Sequence, residues 1–133
     1  MVINKFFDYT GMSLTDEYFL NPEESITART MVYNLVKKYC NTKPLKDIRE
    51  VINDLKSILG SNQHMNNKKV ALLHYHDVES GALSLTFSEF AAHFEGIIEF
   101  LSGQEIVLFQ IEGDFGICFE AEEYNYLRTV WGI

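Results

Sequence analysis

The sequence predicts an α+β fold: N-terminal helices packed on a mostly antiparallel sheet, with a further helix at 87–102. Three observations carry this. Residues 22–59 repeat apolar side chains at helical spacing. Residues 70–76 and 105–120 place apolar side chains on both faces of extended segments. Thr86-Phe87-Ser88-Glu89 has the form of a capping box ahead of an apolar helical run. With 133 residues, 47% of them apolar and 14% aromatic, the chain is expected to build one domain, 1–133, around a real core.

Phe6, Phe7 and Tyr9 are candidates to pack on the domain, and residues 13–20 suit a short helix capped by Ser13. Asn21-Pro22-Glu23-Glu24 is a stronger start. Asn21 suits the N-cap, Pro22 loses nothing at N1, and two glutamates meet the positive helix end. Ala28, Val32, Leu35, Val36 and Tyr39 follow at helical spacing, so a helix is expected over about 22–40. Pro44 suits the start of a second, over 44–59. Its stripe is Leu45, Ile48, Ile52, Leu55 and Leu59, widened by Val51 and Ile58. Asp54 belongs to the wet side of that helix, and Gly60 suits its C-terminal stop. The short connection predicts an antiparallel helical hairpin.

Residues 60–68 read as a polar linker. In the strand 70–76, Ala71, Leu73 and Tyr75 share one face, and Val70, Leu72, His74 and His76 the other. Residues 82–86 suit a short returning strand. The helix at 87–102 is expected to bury Phe87, Phe90, Ala91, Phe94, Ile97, Ile98 and Leu101, with Gly103 closing it. Residues 105–112 and 115–120 form the clearest hairpin. A Gly113-Asp114 loop would set Glu112 opposite Phe115 and Leu108 opposite Phe119. Ile106, Leu108, Ile117 and Phe119 then share one face, and Val107, Phe109, Ile111 and Cys118 the other, which predicts a sheet covered on both sides. The tail from Glu120 suits either an edge strand or a short helix.

Charge is distributed unevenly. Residues 70–127 hold 11 Asp and Glu and no Lys or Arg, whereas residues 1–69 hold 10 basic against 8 acidic residues. With Arg128 the net charge is −8. Such a balance disfavours nucleic acid and anionic membranes as partners, because both are polyanions. No apolar run approaches the length of a membrane helix, and the N-terminus lacks the pattern of a signal peptide. A cytoplasmic location is expected, with Cys40 and Cys118 as buried thiols; a disulfide between them is the alternative.

No sequence motif names an activity, and neither an enzyme nor a cofactor is expected. His74 and His76 share a strand face and, with Asp77 or Glu79, would make a drawable metal or acid–base site, but no third ligand stands at a recognised spacing. The stronger signal is a partner-binding surface of Asp77, Glu79, Glu112, Asp114, Glu120, Glu122 and Glu123 beside Tyr124 and Tyr126. Tyrosines supply contact area at low entropic cost, and carboxylates pair with Lys and Arg.

In size, acidity, aromatic content and its C-terminal half, the chain resembles bacterial immunity proteins of contact-dependent growth inhibition systems. That resemblance implies an intracellular inhibitor of one cognate toxin domain, often a nuclease. A nuclease active site is basic because its substrate is a polyanion, so an acidic surface can occupy it. The alternatives are a small enzyme using His74 and His76, and an adaptor whose acidic face binds some other basic protein.

Overall fold

A computed structural model describes residues 20–38, 42–73, 82–110 and 115–132. Among them are helices α1 (Pro22–Lys38), α2 (Ile48–Ser61) and α3 (Phe87–Phe100), and strands β1 (Lys43–Leu45), β2 (Lys69–Leu73), β3 (Leu83–Thr86), β4 (Ile106–Gln110), β5 (Gly116–Ala121) and β6 (Tyr126–Trp131). The strands form one sheet in the order β1-β6-β5-β4-β2-β3, and every pairing is antiparallel. The α+β class is the one the sequence predicts.

The sheet is buried on both faces. Val70, Leu72, Leu108, Ile117 and Phe119 face a core closed by α2 and α3. Ala71, Leu73, Val107, Phe109, Cys118 and Trp131 face a second core beneath Val32, with Ala28, Met31 and Leu35 of α1 packed on it. Strand periodicity sends alternate side chains to opposite layers, which is why near-continuous apolar runs serve as strands here.

The expected helical hairpin is not formed: α1 and α2 lie on opposite faces of the sheet. Residues 43–45 pair with β6 instead of opening a helix, and the chain changes layers at that edge. An edge strand tolerates Pro44, which has no N–H to give, and Leu45 still reaches the core. The helix starts later, at Asp47, whose side chain accepts from Glu50 N at 3.0 Å. It then runs through Gly60 to Ser61, so that glycine is no stop. The supposed linker holds a 3-10 turn, Gln63–Met65, with Met65 buried.

Capping at α1 and α3 follows the sequence. Glu24 N donates to Asn21 Oδ1 at 2.8 Å. Thr86 and Glu89 exchange both bonds of a capping box, at 3.0 and 3.1 Å. α3 buries Phe87, Phe90, Ile97 and Ile98, with Leu101 just beyond it; Gly103 follows at φ +82°. Ser25 ties α1 to the sheet: its Oγ accepts from Ala82 N at 2.8 Å, while Leu20 N donates to Ala82 O at 2.8 Å.

Two further expectations change. In the β4–β5 hairpin Leu108 faces Ile117 and Phe109 faces Gly116, a register two residues away from the expected one. A shift of two preserves every face, so the two-layer prediction survives it. The tail is neither edge strand nor helix: β6 lies between β1 and β5. Residues 1–19, 39–41, 74–81, 111–114 and 133 lie outside the described residues. With them go the expectations for Phe6, Phe7, Tyr9, the Ser13 helix, Tyr39, Cys40, Tyr75 and Ile111.

Candidate functional site at the Glu105–Tyr124 end of the sheet

The β4–β5 register pairs Ile106 with Phe119, and one step further it sets Glu105 opposite Glu120. By strand alternation both carboxylates lie on the α1 side, with Cys118. Like charges directly opposed across a sheet destabilise it. α1 compensates one of them: Arg29 Nη1 lies 3.8 Å from Glu105 Oε1, and Tyr33 Oη donates to the same oxygen at 3.3 Å. No ion pair reaches Glu120 among the described residues. Burial holds its carboxyl above the usual glutamate range, and Glu105 and Glu122 push it further in that direction. The Cys118 thiol is raised by burial, then by Glu105 and Glu120; it is a free, buried thiol.

β5 turns into β6 through Glu123 and Tyr124, closed by Glu122 N donating to Asn125 O at 2.8 Å. Glu122 and Glu123 are exposed, and Tyr124 is 86% exposed, the most open large hydrophobic side chain among the described residues. Tyr33, at 46%, adds a second accessible ring on the α1 side.

Tyr126 does not belong to this surface. It is 8% exposed, faces the α2–α3 core, and accepts from Gly103 N at 2.7 Å through its hydroxyl. Its position in β6 points it inward, opposite to Leu127 on either side of the pleat. That bond ties the start of β6 to the segment between α3 and β4. Asp77, Glu79, Glu112 and Asp114 lie outside the described residues, as do His74 and His76. Gln110 and Phe115, which bracket 111–114, stand at the opposite end of β5 from Glu120, roughly 15–20 Å away at strand rise. The site therefore keeps Glu120, Glu122, Glu123 and Tyr124 from the sequence reading and gains Arg29, Tyr33 and Glu105. Alternation along β4 signals the face of Glu105, but pairing it with Glu120 requires the register.

Arg128, the first cation after the acidic stretch, is turned away from this end. Its Nη1 reaches Asp54 Oδ1 at 2.8 Å and Oδ2 at 3.0 Å, and Lys43 approaches the same carboxylate at 3.4 Å. Asp54 is thus no wet-side residue: its side chain is 10% exposed.

Among the described residues no group of three or more His, Cys, Asp or Glu is placed to hold a metal ion, and no helix is long and apolar enough to cross a membrane.

The fold and this surface define a small α+β domain with a six-stranded antiparallel sheet among the described residues, helices on both faces, and an acidic, tyrosine-bearing end. Residues 2–131 match the profile of the YxiF protein family, and the chain belongs to that family. No curated protein and no solved structure matches it.

Proposed function

We propose that this chain is an intracellular immunity protein: it binds a basic toxin domain, a nuclease in the first instance, through the Glu105–Tyr124 end of its sheet, and so neutralises it. The observation that carries this reading is the opposition of Glu105 and Glu120 across β4–β5, next to the exposed Tyr124. Two facing carboxylates cost the sheet stability. An arginine or lysine supplied by a partner would relieve that repulsion. Tyr33 and Tyr124 would add area, and Glu122 and Glu123 would steer a cationic surface toward contact. Because the rim is exposed, its charges act mainly on the association rate and within a Debye length of about 8 Å at physiological salt.

The test is stopped-flow association with the cognate toxin domain at low and high salt. Reversal of Glu120, Glu122 and Glu123 to Lys is expected to slow association many-fold without lowering the melting temperature. An association rate indifferent to both salt and the triple reversal would place the contact elsewhere. A cognate partner that carries no toxic activity would keep the surface and overturn the toxin assignment, leaving an adaptor.

A further inference from the structure

The face of α1 holds a second feature, remote from the acidic end. A cleft of about 470 Å³ opens between the N-terminal half of α1 and the sheet. Leu20, Ala28, Met31 and Phe109 supply its apolar part, and Glu23, Glu24 and Thr27 its polar edge. That volume lies within the range of small-molecule sites, about 300–1,000 Å³, and such sites pair an apolar body with a few placed polar groups. Phe109 stands four residues along β4 from Glu105, so the cleft and the Glu105–Tyr124 surface sit at different ends of the strand, about 13 Å apart.

Charge decides which ligand the cleft suits. The N-terminus of a helix carries roughly half a positive charge and by itself favours anions. Here Pro22 has no N–H to offer, Glu24 N gives to Asn21 Oδ1 at 2.8 Å and Ser25 N to Asn21 O at 3.1 Å. Two carboxylates outweigh what remains. Glu24 also takes a hydrogen bond from the Asn21 side-chain amide, whereas Glu23 is exposed at the edge of the cleft. No Lys or Arg is found among the described residues that line the cleft.

We infer that the cleft is a binding site for a small organic cation with an apolar body, an aryl- or alkylamine, whose body enters over the half-buried Leu20, Ala28 and Met31 while its ammonium meets Glu23. This assignment does not rest on the toxin-binding reading, and neither falls with the other.

The experiment uses the full chain with three probes of one shape: 4-phenylbutylamine, 4-phenylbutanol and 4-phenylbutyrate. Binding is followed by ligand-observed NMR and by calorimetric titration. The amine is expected to saturate one site with a Kd at least about ten-fold below that of the acid, the alcohol lying between, as one close ion pair near a surface implies. Glu23→Gln is expected to remove most of that preference. Thr27→Phe, at an exposed edge position, is expected to block all three probes without lowering the melting temperature. Equal affinity for amine and acid would overturn the ligand class. No saturable binding, or binding unchanged by Thr27→Phe, would overturn the site.

Discussion

The indole of Trp131 lies across Gly116, its partner in the β5–β6 register: a Cβ on residue 116 would overlap the ring atoms Cζ2, Cε2 and Cη2. Gly116 also faces Phe109 on the other side, so a residue without a side chain separates two aromatic residues on neighbouring strands. This packing gives a physical reason for the observed hairpin register. The expected pairing would set Gly116 opposite Ile111 and move Phe109 away from it.

Gly116→Ala is therefore expected to destabilise the fold by about 1–3 kcal/mol through overpacking, and to shift the emission of Trp131, the chain's single tryptophan. Urea denaturation measures the first and native-state fluorescence the second. Combined with Trp131→Phe, the alanine should cost less than it does alone. Strict additivity would show that the ring and residue 116 do not compete for space.

Tyr126 and Tyr124 stand two residues apart and are expected to behave oppositely. Tyr126→Phe leaves the part-buried Gly103 N–H without its acceptor, a loss of about 0.5–1.5 kcal/mol, since water can still reach that donor. Hydrogen exchange at the Gly103 amide should quicken accordingly. Tyr124→Ala, at an exposed turn, should stay within about 0.5 kcal/mol of the parent in the same melts while weakening partner association. The reverse pattern would exchange the structural and binding roles assigned to them.

Asp54 joins α2 to the β1–β6 edge. Asp54→Asn is expected to cost about 2–4 kcal/mol, because it leaves the mostly buried Arg128 guanidinium without its counter-charge. Lys43 touches the same carboxylate from a 55% exposed position, so Lys43→Ala should cost less than about 1 kcal/mol. Urea midpoints of the two variants, taken side by side, check the ranking.

Glu120 predicts a pH dependence. Its carboxyl lies above the ordinary value of 4.5 because burial disfavours its charged form and Glu105 and Glu122 repel it. The folded state then holds this proton more tightly than the unfolded chain does. The contribution is fully present below the unfolded pKa and is lost as pH rises through the raised folded value. Glu120→Gln is accordingly expected to melt higher than the parent at pH 7. That advantage should shrink as pH falls and vanish below about pH 4.5. An advantage of equal size at pH 7 and pH 4 would mean that charge repulsion is not its source.

What the sequence by itself determined is local or periodic. Asn21 caps α1 and Thr86 caps α3 because capping needs only a side-chain oxygen and the backbone N–H groups two or three residues on. The two faces of β2, β4 and β5 follow from alternation alone, and so did the expectation of a sheet covered on both sides. Tertiary structure decided what depends on contacts between distant segments. Lys43–Leu45 carried a plausible helix start in Pro44, yet pairing with β6 drew it into the sheet. Leu108 met Ile117 instead of Phe119, because periodicity constrains the face of a residue and leaves its register free by steps of two. Tyr126 was withdrawn from the surface by Gly103, 23 residues away, and Asp54 by Arg128, 74 residues away. The facing of Glu105 and Glu120 arose the same way: each carboxylate is visible in the chain, but only the register of β4 on β5 sets one against the other.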